Sequence, residues 1–139
     1  MVSSVYKNIV MSFLAKLEID GEEMNVLHCG FRFNKAIDAT GKPTSIPKGG
    51  TVNLVVESTG NTNLFDWMIS ATQTKNGSVT FFRRDTSSKL KKLEFAEAYC
   101  VDYNETYDHS GEHPMQVELL ISALEIKLND SEFKNNWPV

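Results

Sequence analysis

The sequence predicts a mainly β protein: an antiparallel two-sheet β-barrel or sandwich with one α-helix, near residues 62–72, and one long extended loop, near residues 35–50. Three observations carry that expectation. Apolar and polar residues alternate over most of the chain, the period of half-buried strands. A single segment breaks into helical spacing. The longest interruption between strands holds Pro43 and Pro47, each lacking the N–H that a sheet ladder needs.

The first run sets Phe13, Ala15, Leu17 and Ile19 against Leu14, Lys16, Glu18 and Asp20, and Asp20-Gly21 is a hairpin signal. In the next run Leu27, Cys29, Phe31 and Phe33 face one way, with His28, Arg32 and Asn34 opposite. Residues 35–50 then form a loop longer than the ~12–15 residues that structureless connections usually reach, which marks it as an arm for docking onto another protein. Ile46, between polar neighbours, reads as its isolated apolar side chain. Beyond it, Val52, Leu54 and Val56 alternate with Asn53, Val55 and Glu57.

Leu64, Phe65, Met68 and Thr72 share a helical face that Trp67, Ile69 and Ala71 broaden. Residues 61–63 offer an N-cap, and Asp66 puts negative charge in the first turn. Asn76-Gly77 reads as a turn leading into a short strand from Val79 to Arg84. From Leu93 the odd positions carry Tyr99, Tyr103 and Tyr107 on one strand face, while Ala96, Ala98 and Cys100 fall on the other. After the loop at His109 and His113, the run of Met115, Val117, Leu119, Ile121 and Ala123 changes phase at Leu124. That change predicts a bulge or bend in a long hairpin.

With 139 residues the chain suits one domain, taken as residues 11–139, with residues 1–10 as an extension. Its formal net charge of −4 argues against a nucleic-acid partner, because phosphate binding draws on clustered Lys and Arg. The basic cluster of Arg83, Arg84, Lys89, Lys91 and Lys92 is flanked by Asp85 and Glu94 and reads as a solvated strand or turn. Cys29 and Cys100 sit in apolar runs and are expected as reduced thiols. The apolar stretch from Ile9 is broken by Ser12 and ended by Lys16, so neither a signal peptide nor membrane insertion is expected.

Catalytic chemistry is hard to assemble from these residues. His109 and His113 are four apart, but Gly111 and Pro114 argue for a hairpin tip rather than a metal-binding helix. His28 and Cys29 are adjacent on a strand and point to opposite faces. No phosphate-binding loop, dinucleotide fingerprint or nucleophile elbow occurs. No enzyme activity, metal or cofactor is expected.

Several stretches resemble the TssD branch of the hemolysin-coregulated (Hcp) proteins, from Met11 to the end of the chain. They are Leu14-Ala-Lys-Leu-Glu-Ile-Asp-Gly21, Gly30-Phe-Arg-Phe-Asn34, Leu64-Phe-Asp-Trp67, Phe81-Phe-Arg-Arg-Asp85, Ala98-Tyr-Cys-Val-Asp-Tyr103 and the ending from Leu128 to Val139. The resemblance implies a β-barrel subunit that forms homohexameric rings, stacked as the inner tube of a type VI secretion system. It also implies sheath, spike, baseplate and effector proteins as partners. Such a protein assembles in the bacterial cytoplasm and is then propelled out of the cell without a signal peptide. In that family an extended loop reaches a neighbouring subunit or ring. Thr40, Lys42, Pro43, Ile46 and Lys48 are the corresponding contact candidates.

Two other readings compete. A monomeric barrel could bind a small apolar ligand in a cavity lined by Phe31, Phe33, Phe81, Tyr99 and Tyr103. A metal-dependent hydrolase would have to use His109, His113 and nearby acids.

Overall fold

The computed structural model describes residues 14–84 and 88–138. Residues 1–10, Met11, Phe13 and Asp85, all used in the readings above, lie outside the described residues. The elements in chain order are β1 (Ala15–Ile19), β2 (Glu22–Phe31), β3 (Thr51–Glu57), α1 (Asn63–Ile69), β4 (Lys75–Phe82), β5 (Lys89–Tyr107), β6 (Met115–Leu128) and β7 (Ser131–Lys134).

The strands form one antiparallel sheet in the order β3-β2-β1-β4-β5-β6-β7, and β3 also pairs with β6. That added pairing, from Thr51 opposite Ser122 to Glu57 opposite Gln116, closes six strands into a barrel. The seventh strand, β7, continues along the same edge of β6, with Leu128 opposite Ser131 and Glu125 opposite Lys134. Among the described residues the expectation of an antiparallel β fold with one helix is met. The choice between sandwich and barrel falls to the barrel, because closure leaves no exposed edge between β3 and β6.

The inward positions follow the alternation where the strands are straight. Leu17, Val52, Leu54, Val56, Leu119 and Ile121 are fully buried. Each such side chain contributes about 1.5–3 kcal/mol relative to exposure. The Asp20-Gly21 turn forms as read, both residues at positive φ, and Ile19 pairs with Glu22.

Where strands bulge, the simple alternation fails. In β2 the register shifts between Val26 and His28. Met24 and Val26 therefore face the core, as do Cys29 and Phe31, and Leu27 falls in the irregularity. In β5 the residue at fault is Glu97, at φ 50. Leu93 and Phe95 are buried before it, Ala98 and Cys100 after it. A second shift, between Cys100 and Asp102, restores the odd phase, so Tyr103 packs against the core while Tyr99 and Val101 face out. The expected three-tyrosine face does not exist. The phase change at Leu124 in β6 does, with Ala123 and Ile126 both buried.

Other boundaries also move. Asn76-Gly77 is not a turn but part of β4, which runs from Lys75 to Phe82 instead of from Val79 to Arg84. Gly77 is where the chain tolerates no side chain. A Cβ there would lie 2.6 Å from both Ile19 and Phe95 atoms and 2.8 Å from the Glu18 carbonyl oxygen. Asn76 has a different duty, its Oδ1 accepting the Glu97 N–H at 2.8 Å. The helix is shorter than residues 62–72. Ser70 turns extended, its hydroxyl accepts the Gln73 N–H at 3.0 Å, and Thr72 lies outside the helix. Its N-cap is Thr62, which makes no side-chain capping bond; Asn61 Oδ1 accepts the Asn63 N–H instead.

Leu64 and Trp67 anchor the helix in the core, and Trp67 Nε1 donates to the Ala98 carbonyl oxygen at 3.1 Å. That carbonyl sits beside the bulge, so the helix is tied to the irregular point of β5. Cys29 and Cys100 are free thiols, and burial pushes both up to about 11. Of the side chains expected to line a ligand cavity, Phe33 and Tyr99 are exposed, while Phe31, Phe81 and Tyr103 pack against the core. Phe33 and Tyr99 therefore do not face the barrel interior together with the other three.

Replacing Gly77 by Ala should cost about 1–3 kcal/mol through overpacking against backbone and ring. Denaturant unfolding would measure it, and a change within about 0.5 kcal/mol would contradict the packing described. Replacing Trp67 by Phe should cost about 1–3 kcal/mol by leaving the Ala98 carbonyl without its donor. Unfolding midpoints would show whether the indole N–H matters.

Candidate assembly surface

The extended segment at residues 35–50 is not a slack loop. Asn34 and Lys48 exchange both backbone hydrogen bonds, at 2.9 and 2.7 Å, and Ile37 bridges Pro43. The Thr44 N–H donates to the Ala36 carbonyl oxygen at 2.8 Å, and the Ala36 N–H to Ser45 Oγ at the same distance. Two prolines prevent a regular ladder, so the arm is a narrow tongue braced at intervals.

Its tip is organised by Asp38. One carboxylate oxygen accepts from the Thr40 hydroxyl at 2.7 Å, the Thr40 N–H at 2.8 Å and the Lys42 N–H at 3.1 Å. The Asp38 N–H in turn donates to the Lys42 carbonyl oxygen. These bonds, led by the Thr40 hydroxyl, hold the Asp38 carboxyl below its ordinary range.

All five contact candidates, Thr40, Lys42, Pro43, Ile46 and Lys48, lie on this arm and are exposed. They do not play equal parts. Thr40 spends its hydroxyl on Asp38, and Lys48 lends its backbone to the root. Ile46 is 70% exposed, and Ile37, which the sequence reading passed over, is 63% exposed. Ile46 is thus not the arm's single apolar side chain. Asp38 was also missed, although Asp38-Ala-Thr-Gly41 carries the pattern of a side-chain-closed turn.

Further apolar side chains stand on the surface away from the arm. Tyr99 and Val101 face out from the irregular part of β5, with Trp137 tilted against Tyr99 at 5.8 Å between ring centroids. Phe65 and Ile69 are exposed on α1, and Tyr107 and Met115 at the end of the β5–β6 hairpin. His109 and His113 occupy that hairpin's loop, where His113 Nδ1 is 3.6 Å from Glu57. Among the described residues no three His, Cys, Asp or Glu side chains cluster as a metal site would require. Nor is any described helix long and apolar enough to cross a membrane.

A barrel carrying a helix and a projecting braced arm invites comparison with known proteins. Residues 11–138 match the family described as Hemolysin coregulated protein Hcp (TssD). The chain belongs to the Hcp family.

Hcp1 from Flavobacterium johnsoniae is 41% identical, with a TM-score of 0.83 over 88% of this chain and 100% of that one. Hcp1 from Salmonella typhimurium shares the fold at 14% identity, with a TM-score of 0.69 over 88% of this chain and 92% of that one. A type VI secretion system effector from Yersinia pestis shares it at 10% identity, with a TM-score of 0.64 over 87% and 99%. Among curated proteins nothing matches the chain. Hcp proteins are structural tube proteins of type VI secretion systems and are secreted by them.

Because its folded-state pKa is depressed, Asp38 stabilises the tip at neutral pH, and that contribution is lost as pH falls through the lowered pKa. Replacing Thr40 by Val should raise the Asp38 pKa toward its ordinary value, read by NMR titration of the carboxyl carbon. An unchanged titration would remove the hydroxyl from its leading role.

Proposed function

We propose that this chain forms homohexameric rings that stack into the inner tube of a type VI secretion system. Thr40, Lys42, Pro43, Ile46 and Lys48, now joined by Ile37, contact the neighbouring subunit or ring. The observation that carries this reading is the arm itself. A segment that braces itself by hydrogen bonds while leaving Ile37 and Ile46 in water holds two apolar side chains ready for a partner surface. The entropy of ordering them is already met within the subunit, which favours association.

Family membership sets the context in which such a surface works. A ring built head to tail joins two different patches of each subunit, and closes only when the rotation per subunit is right. The outward Tyr99 and Val101, and the helix residues Phe65 and Ile69, are further candidates for those patches. A stable contact should bury upwards of about 1,000 Å². In this reading residues 11–139 form the working domain. The rings assemble in the cytoplasm and meet sheath, spike and baseplate proteins. They then leave the cell with effectors.

Light scattering and negative-stain images of the purified protein should give a six-subunit mass and an annulus. A monomer at every concentration and salt would sink the proposal. Replacing Ile46 by Asp should leave unfolding free energy within about 0.5 kcal/mol, as for other exposed positions. The same change should weaken assembly by more than about tenfold if Ile46 is an interface anchor. Deleting residues 38–48 should likewise abolish stacking while the barrel still unfolds cooperatively. An unfolded deletion variant would place the arm within the folding unit instead.

A further inference from the structure

The arm is braced along its length, but its direction is decided at its root, and the root is held by residues far away in sequence. Along one edge, β6 pairs with β3 up to Ser122 and with β7 from Glu125 onward. Ala123 and Leu124 lie between, and their backbone groups need other partners. They find them at the root of the arm and in the last residues of the described chain. The Ala123 N–H donates to the Gly50 carbonyl oxygen at 2.8 Å. The Ala123 carbonyl accepts from Asn135 Nδ2 at 2.9 Å, and the Leu124 carbonyl from the Asn135 N–H at 2.7 Å. Asn135 Nδ2 donates a second time, to the Gly49 carbonyl oxygen at 3.0 Å.

A single amide group therefore bridges the arm and the barrel wall. The backbone around it leaves little freedom. Gly50 is at φ 100, and a Cβ there would lie 2.4 Å from Asn135 Nδ2 and 2.8 Å from the Ala123 carbonyl oxygen. Phe33, just before the arm, occupies the space that a Cβ on residue 49 would need, and meets Phe133 edge-on at 4.9 Å. Beyond Asn135, Trp137 rests on Tyr99 and holds the segment against the barrel. Both sides of the arm's root thus touch residues 133–137, through Phe33 on one and Gly49 on the other.

We propose that residues 133–137 act as a strap that aims the arm, with Asn135 as its positioning residue. Without the strap the arm's internal bridges still form but open more often, and its angle to the barrel is no longer fixed. Docking by Ile37 and Ile46 then becomes dependent on the state of the carboxyl-terminal segment. A partner that lifted Trp137 from Tyr99 would loosen the arm from a distance. The consequence for docking rests on the assembly reading given above; the coupling of strap to arm does not.

Amide hydrogen exchange on the full chain tests the coupling, in the unsubstituted background and in the Ile46→Asp background that is expected to disperse rings. Asn135→Asp keeps the side-chain shape but removes both donors and turns a carboxylate toward two carbonyls. Exchange at the Asn34, Lys48 and Thr44 amides should rise about tenfold, the worth of one hydrogen bond of ordinary strength, while β3 amides stay protected. Should the aspartate variant fail to fold, Asn135→Ala, which adds no charge, carries the same test. Arm amides that remain as slow as before would overturn the proposal. So would arm and β3 amides that rise together, since that reports general loosening. Faster arm exchange with undiminished ring mass would uphold the coupling and remove the arm from assembly.

Discussion

Closure of the barrel depends on one edge of β6 serving two partners in succession. Its first half pairs with β3 and buries Val117, Leu119 and Ile121 against Val52, Leu54 and Val56. Its last residues pair with β7. The strand can do this only by changing phase between Ala123 and Ile126, since a straight strand would turn Ile126 to solvent. On the neighbouring strand Glu97 makes the matching change at positive φ. Asn76 and Trp67 take up the backbone groups around it. The helix, the bulge and the closure are one device.

That device also places the arm. The point where β6 changes partner leaves backbone groups unpaired, and a buried unpaired group is expensive. The chain answers by running the root of the arm and Asn135 into the gap. Core geometry and the placement of the arm therefore meet at the same few atoms. The arm's own rigidity comes from a different source, the Asp38 turn and the Asn34–Lys48 bridge.

For an Hcp protein this division of labour is useful. The barrel supplies a rigid body whose inward face is occupied by its own side chains, and the arm stands outside it. Polar side chains cover much of that outer surface, as in the ion pairs Lys134–Glu125 and Lys92–Glu94. Against that background Ile37, Ile46, Ile69 and Val101 are conspicuous for lacking cover within the subunit. Exposed apolar groups of this kind gain most from burial when they are already held in place.

Much of this was legible in the residues alone. Period-two alternation located the cores of β1, β3 and β6, Asp20-Gly21 located their first hairpin, and the break at Leu124 announced a bend. Family resemblance and the absence of catalytic motifs pointed to a structural role, and the run of prolines and glycines marked the arm. What stayed hidden was long-range. Alternation cannot report a register shift at residues as ordinary as those between Cys100 and Asp102, so Tyr99, Tyr103 and Tyr107 seemed to share a face. Asn76-Gly77 has turn chemistry, but the crowding of Ile19 and Phe95 makes it strand. The short β7 and the duty of Asn135 depend on backbone groups brought together across the fold. Local pattern determines which residues seek the core, because burial is decided residue by residue. Which carbonyl is left without a partner, and which distant amide fills the gap, is decided only once the strands have met.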